Sequence, residues 1–289
     1  MIEQPDQSLS VAALCEVLEV SPSGYYAWRK RGISPREQAD TQLGSAVERV
    51  FRASRNTYGS QRVQRALREQ GIRTSRKRVA RLMRQRGLRS VRARQRRIGL
   101  TKAARNAYLV ENLLAQNFEA TRINEKWVTD TTYVPTREGW LYLVSVLDLY
   151  SRQIVGWAMG EHHDAELATD ALDRAIQRHR PPVGLLLHSD RGGEFANARF
   201  HQRATDAQMR LSMSDKGNCY DNAVAESFFA AVKLEAVQER VYVSRQEARQ
   251  QLFDYIEVFY NRQRLHSGID FECPANRAAG VTVTPLNWG

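Results

Sequence analysis

Val183-Gly184-Leu185-Leu186-Leu187-His188-Ser189-Asp190-Arg191-Gly192-Gly193 runs from an apolar segment into a carboxylate and a pair of glycines. Val183 to His188 is apolar throughout rather than alternating, the pattern of a central strand covered on both faces. Asp190 ends that strand, and the ends of strands in α/β sheets are where sites collect. Gly192 and Gly193 leave room for close backbone approach.

Working outward, the same logic fills in a domain. Lys126 to Val134, Trp140 to Leu147 and Gln153 to Met159 are rich in β-branched and aromatic residues and read as strands. Ala165 to His179 is amphipathic helix, ended by Pro181-Pro182. Ala198 to Gln208 predicts a helix, Arg210 to Met213 a short strand, and 221–238 and 245–262 two further helices. By itself this order predicts a mixed α/β domain.

Two more carboxylates stand in marked settings. Asp130 lies inside the strand Trp127-Val128-Thr129-Asp130-Thr131-Thr132-Tyr133, where Asp is disfavoured unless it has a partner or faces water at an edge. Glu226 follows Asp190 after 35 intervening residues, with Asn218, Asp221 and Asn222 leading in and Ala223, Val224, Phe228 and Phe229 around it. Taken singly, Asp190 is a turn Asp before glycine and Glu226 a solvated helix Glu. Together the three suggest a site for a hard cation such as Mg²⁺, which takes oxygen ligands. Two such ions about 3.5–4 Å apart can clamp the attacking and leaving oxygens of a phosphodiester. Lys233, seven residues beyond Glu226, falls on the same helical face. His188 is either a ligand or base, or a histidine packed beside the site; packing is the preferred reading. His162 and His163 have no partner at ligand spacing.

The 289 residues carry a net charge of +11, but unevenly. Residues 52–105 hold nineteen Lys and Arg against the single acid Glu69, so the rest is net acidic. That localises a surface for a polyanion. Within it, 60–70 and 76–86 read as helices around Gly71-Ile72-Arg73-Thr74-Ser75, with Ser75 as N-cap. Val79, Leu82 and Met83 face inward; Arg76, Lys77, Arg78, Arg81 and Arg84 lie on the outer face. This is a helix-turn-helix pattern with a basic second helix suited to the major groove. A solvated basic face on a structural hairpin is the plainer alternative. Residues 34–56 predict a preceding helix, and 9–31 two short helices that make either another helix-turn-helix or a packed hairpin. Arg89 to Arg105, with Arg92, Arg94, Arg96, Arg97 and Lys102, reads as a basic linker: a tether, and an arm able to follow a DNA backbone. Three cysteines, Cys15, Cys219 and Cys273, without zinc spacing, and no signal-peptide or membrane-spanning run, point to a reducing cytoplasm.

Trp127-x-x-Asp130-x-Thr132-Tyr133, His188-Ser189-Asp190-x-Gly192 and Asp221-Asn222-Ala223-x-x-Glu226-Ser227-Phe228-Phe229-x-x-x-Lys233, at this spacing, resemble the catalytic core of DDE transposases and retroviral integrases. Tyr260-Asn261-x-x-Arg264-x-His266-Ser267 and the Tyr58-Gly59-Ser60 and Arg78-Val79-Ala80-Arg81-Leu82-Met83 patterns narrow the resemblance. It is to the second-reading-frame product of the insertion-sequence-three family of bacterial transposases, from about Ser45 to Pro274.

The resemblance implies a ribonuclease-H-like α/β core behind a small all-α helix-turn-helix region. It makes Asp130, Asp190 and Glu226 both catalytic and metal ligands, with Mg²⁺ as cofactor and Mn²⁺ as substitute, and leaves Asp148 structural. Lys233 would contact DNA near the site. Arg264 and His266 join Arg76, Lys77, Arg78, Arg81 and Arg84 as DNA-contact candidates, though Asp270 and Glu272 depart from the family's usual continuation. The expected units are an N-terminal helical segment, 1–45; the basic helix-turn-helix, 46–100; a linker, 101–120; the catalytic core, 121–280; and a tail, 281–289. The expected activity is cleavage of insertion-sequence ends and strand transfer. The partners would be double-stranded DNA at element ends and target, further copies of the chain on DNA, and an upstream-frame helix-turn-helix and zipper product, with no membrane. Location would be the bacterial cytoplasm, on the nucleoid when bound. A DNA-binding regulator with an idle core and a ribonuclease-H-type nuclease are the alternatives; three intact carboxylates count against the first and the basic N-terminal region against the second.

Overall fold

A computed structural model describes residues 10–91, 109–215, 219–238 and 240–280. The expectations for Arg92, Arg94, Arg96, Arg97, Lys102, Asn218 and the tail lie outside them.

Helices α1 (Val11–Val17) and α2 (Pro22–Lys30) start on the serine caps Ser10 and Ser21. They bury only Cys15, and Val17, Tyr26 and Trp28 remain exposed. Helix α3 (Pro35–Ala53) opens on a full capping box: Glu37 N–H donates to Ser34 Oγ at 3.2 Å and Ser34 N–H to Glu37 Oε2 at 2.8 Å. It runs unbroken through residues 45 and 46, the boundary expected between two units, and packs on α4 (Ser60–Glu69) and α5 (Arg76–Gln85). Val47, Val50, Phe51, Val63, Leu67, Val79 and Leu82 close the core between them. Gly71 makes the α4–α5 turn at φ +80°, where a Cβ would be strained. Ser75 then caps α5 by accepting from Arg78 N–H.

The second region is a five-stranded sheet ordered β3-β2-β1-β4-β5. Strands β1 (Lys126–Thr136), β2 (Gly139–Asp148) and β3 (Ile154–Gly160) are antiparallel, while β4 (Leu186–Ser189) and β5 (Arg210–Met213) run parallel to β1. With helices on both faces this is the ribonuclease-H-like arrangement. Strand β4 starts three residues later than its apolar run, because Gly184 turns the chain at φ +83° and donates its N–H to Gln208 O. Alternation along β1 assigns the faces. Trp127 joins Val144, Val155 and the apolar sides of α6 (Ala165–His179) and α7 (Ala198–Asp206). Val128 joins Leu141, Leu143 and Ile154 on the other side, under Phe228, Phe229, Tyr255 and Phe259. Asp148 is fully buried, accepting from Asn124 N–H and from the N–H and hydroxyl of Ser151 at 2.7–2.8 Å, and so closes the β2–β3 turn. Residues 113 and 114, expected in the linker, are tied to this region: both N–H groups donate to Ser212 Oγ, and Leu114 is buried.

Two predicted helices change geometry part-way. The segment 221–238 is a 3-10 turn, α8 (Ala223–Ala231) and a π-helical stretch Val232–Val237. The segment 245–262 is α9 (Arg245–Phe253) continued by a π-helical stretch Asp254–Tyr260. Wide π turns break the 3.6 period, and they mark functional places more often than chance. Helix α10 (Pro274–Ala279) closes the described chain. Among the described residues no helix is long and apolar enough to cross a membrane.

Helix α6 packs so closely on β3 that a Cβ on Gly156 would lie 2.5 Å from Ala171 O and 2.6 Å from Ala175 Cβ. Gly156→Ala is therefore expected to destabilise by about 1–3 kcal/mol. That is a fall in Tm of roughly 5 °C, readable by calorimetry; an unchanged Tm would mean α6 yields freely.

Candidate active site

The parallel register of β1 and β4 builds the site. Val128 pairs with His188, so Asp130 and Asp190, each two residues further on, lie side by side where β4 ends and β1 continues beyond it. Both are partly buried. Asp130 Oδ1 accepts from Thr131 N–H at 2.8 Å, and Asp190 Oδ1 from Gly192 N–H at 2.9 Å. Gly192 has no spare room: a Cβ there would meet Glu194 Oε2 and Asp190 Oδ1.

The electrostatics follow from that crowding. Burial first, then the charge of Asp190, pushes the Asp130 carboxyl well above the usual carboxylate range, with Glu226 adding less. Burial pushes Asp190 up to about 6, against the N–H of Gly192, which lowers it. Burial also raises Glu226, which is exposed in the first turn of α8. Asp130 and Asp190 are thus neighbours, and the charge of Glu226 reaches both. Among the described residues no three His, Cys, Asp or Glu side chains are close enough as they stand to hold an ion together.

The helix bearing Glu226 is nonetheless fixed to the same strand. Asn222 Nδ2 donates to Thr129 O at 3.1 Å, beside Asp130. Asp221 just ahead accepts from Asn112, Gln116 and Asp215 N–H at 2.9–3.1 Å. Lys233, in the π-helical stretch after α8, lies over the Tyr133 ring, its Nζ 5.3 Å from the centroid. Burial lowers its pKa while the charge of Asp130 opposes this.

A fourth carboxylate escaped the sequence reading. Glu194 is buried next to Asp190, and its Oε1 lies 2.5 Å from Nε2 of His163, whose ring stacks on Tyr142. Burial would raise Glu194, but the His163 hydrogen bond and charge outweigh it and leave it lowered; His163 is raised by the same bond. So His163 does have a partner, thirty-one residues away, which ligand spacing in sequence could not reveal. His188 is the packed histidine expected: fully buried between Ser212 and Ser214 hydroxyls, with burial lowering its pKa to about 4.

The residues present suit a hard divalent cation. The donors are carboxylate oxygens, two of them repelling each other in a buried cleft, a cost that a cation would remove. Ser145, paired with Asp130 across β1 and β2, has a buried hydroxyl without a hydrogen-bond partner among the described residues.

The basic candidates divide. Arg76, Lys77 and Arg84 are exposed on α5. Arg78 and Arg81 instead bond Asp40 of α3 at 2.8 and 2.7 Å, which holds the helix pair together. Two further candidates lie apart from an open basic surface. Arg264 has a side chain that is 7% exposed and grips Glu235 with two hydrogen bonds of 2.7–2.8 Å. His266 is partly buried. Burial and neighbouring arginines hold its pKa near 3, and its Nδ1 accepts from Gly268 N–H in a tight turn.

An integrase core domain model matches residues 120–219, a second integrase core domain model 207–274, and an HTH-like domain model 37–96. The chain is 41% identical over 272 residues to the transposase InsF for insertion sequence IS3A of Escherichia coli (strain K12), covering 92% of this chain and 93% of that one. It is 42% identical over 262 residues to an uncharacterized 31 kDa protein of insertion element IS600 from Shigella sonnei, covering 91% and 96%. Solved structures of similar shape include a simian T-cell lymphotropic virus intasome in complex with PP2A regulatory subunit B56 gamma. It is 15% identical, covers 74% of this chain and 70% of that one, and has a TM-score of 0.46. The HTLV-2 integrase catalytic core domain in complex with magnesium, in trimeric form, is 13% identical and covers 55% and 99%, with a TM-score of 0.43.

Proposed function

The chain belongs to the insertion-sequence-three family of transposases and acts in DNA transposition, and from that premise we propose that Asp130, Asp190 and Glu226 are its metal-dependent catalytic triad. The observation that carries this is the register-aligned, mutually repelling pair Asp130, within β1, and Asp190, just past the end of β4, with Glu226 in the first turn of the adjacent helix. When bound, Mg²⁺, or Mn²⁺ in its place, supplies Lewis-acid stabilisation of the phosphodiester oxygens and a water of lowered pKa. Asp130 and Asp190 would hold it, with Glu226 of α8 as the third carboxylate. Lys233 offers its ammonium to the phosphate. Water attacks phosphorus at the element end and the DNA 3′-oxygen leaves. The freed 3′-hydroxyl then attacks a target phosphodiester at the same site; the bond from that phosphorus to the target strand's own 3′-oxygen breaks, that oxygen leaves with the proton, and no covalent link to the protein is needed.

The helical region, proposed to begin with α3 rather than at residue 46, presents α5 to element-end DNA through Arg76, Lys77 and Arg84. Replacing these three with Ala is expected to weaken end binding and lower the slope of log affinity against log salt by up to about 0.9 per lost phosphate contact. Salt titrations with an end duplex measure this, and an unchanged slope would place the residues away from DNA. Several copies of the chain are proposed to assemble on DNA, with an upstream-frame product as a further partner. The decisive experiment incubates the protein, with and without that product, with flanked element ends and Mg²⁺; nicked and joined strands are expected. No metal-dependent product in either arm would overturn the reading.

A further inference from the structure

Residues of the motif Tyr260-Asn261-x-x-Arg264-x-His266 converge on one buried place. Asn261 bonds the edge strand β3, donating to Ile154 O and accepting from Ile154 N–H at 2.9–3.0 Å. Arg264 makes its two bonds to Glu235, and Tyr255 OH donates a third to Glu235 Oε2 at 2.8 Å. Glu235 belongs to the π stretch that continues α8, and Tyr255 to the one that continues α9. The wide turns bring both inward, where α-helical turns would have set Glu235 at another angle to Glu226.

The helical DNA-binding region closes on this place. Tyr58, fully buried, donates its hydroxyl proton to Gln263 O at 3.1 Å and accepts from Leu265 N–H at 2.7 Å, on both sides of Arg264. Arg55 bonds Asp254 and lies over the Phe259 ring; Arg65 lies over Phe271. Arg62 stacks on Tyr58, and burial lowers its pKa. These arginines of the basic segment face the catalytic region, not DNA. The route from the DNA-binding helices to the third carboxylate is therefore short and made of directed bonds: Tyr58, the backbone around Arg264, Glu235, then the helix of Glu226.

We propose that Tyr58, Arg264 and Glu235 are positioning residues, a latch by which the docked helical region sets the position of the Glu226 helix, so that the catalytic carboxylates are complete only when that region is seated. This rests on the assignment of Glu226 to the triad. A latch matters because Glu226 is carried on a helix, apart from the adjacent strands that carry Asp130 and lead into Asp190, and small displacements of a catalytic group cost large factors in rate.

Tyr58→Phe in the full chain removes one hydroxyl and keeps the ring, and Arg264→Lys keeps the charge but loses the fork. For each, hydrogen exchange of amides 223–237, end-duplex affinity and the single-turnover cleavage rate are measured at a temperature well below unfolding. Faster exchange in 223–237, a roughly tenfold slower cleavage and an affinity within about twofold of the parent are expected. A lower Tm with parental exchange and parental rate would overturn the latch and leave an ordinary packing contact. If the parent itself shows no metal-dependent cleavage, the triad assignment fails. The exchange arm still decides whether Tyr58 controls the helix: parental exchange in 223–237 refutes it.

Discussion

Asp190→Asn is expected to abolish cleavage and joining while leaving end binding nearly intact. The change removes a charge and almost no volume. Asp190 sits just past the end of β4, where its carboxylate accepts from Gly192 N–H. Loss of one charged group from a site that stabilises a phosphoryl transition state is expected to cost about 10³-fold or more in rate, roughly 4 kcal/mol. Affinity for an end duplex, which the proposed function assigns to α5, should stay within about twofold of the parent. Parental activity in Mg²⁺ would remove Asp190 from the mechanism. A parallel loss of affinity would show that the variant is misfolded, and circular dichroism separates the two.

The parts of this site readable in the sequence are those fixed by local rules. The apolar run ending in Asp190 had to be a covered strand, and strand ends collect sites, so its carboxylate could be placed before any coordinates. The five strands and α6 followed from period and breakers, with α6 and β5 at their expected bounds. Asp148, expected to be structural, bonds Ser151 three residues on in the β2–β3 turn. What could not be read is what depends on which faces meet. Charge pattern says that Arg78, Arg81 and Arg264 are cations but not that Asp40 and Glu235 await them from other elements. The one-signed segment 52–105 looked wholly DNA-facing, yet Arg55 and Arg65 turn to aromatic rings of the catalytic region. A π turn leaves no mark in a 3.6-residue pattern, so the angle of Glu235 to Glu226 was hidden. The His163–Glu194 pair was hidden for the same reason: it joins the end of β3 to the loop after β4.

Metal-free, the triad should destabilise the fold near neutral pH, and the sign can be worked out. Asp190 has a pKa of about 6 in the folded chain against 3.8 when unstructured, and Asp130 and Glu226 shift the same way. Between these values the folded state holds more protons than the unfolded one. Stability therefore falls as pH rises from about 4 through about 6, and stays lower above it. For Asp190 alone the shift corresponds to at most about 3 kcal/mol, less for its partial exposure. The His163–Glu194 pair titrates nearby, so the quantity to follow is the difference between parent and Asp130→Asn, both without metal. The variant removes the most strongly raised group, and its Tm at pH 7 is expected to exceed the parent's by a few degrees, with the gap closing toward pH 4. Mg²⁺ should reverse the order. At a hundred times its dissociation constant it would stabilise the parent by about 2.7 kcal/mol, leave Asp130→Asn unmoved, and lose its effect as the carboxylates protonate. An Asp130→Asn protein with the parent's metal-induced shift would put the ion elsewhere. A variant no more stable than the parent at pH 7 would mean that Asp130 and Asp190 do not repel each other in solution as their register implies.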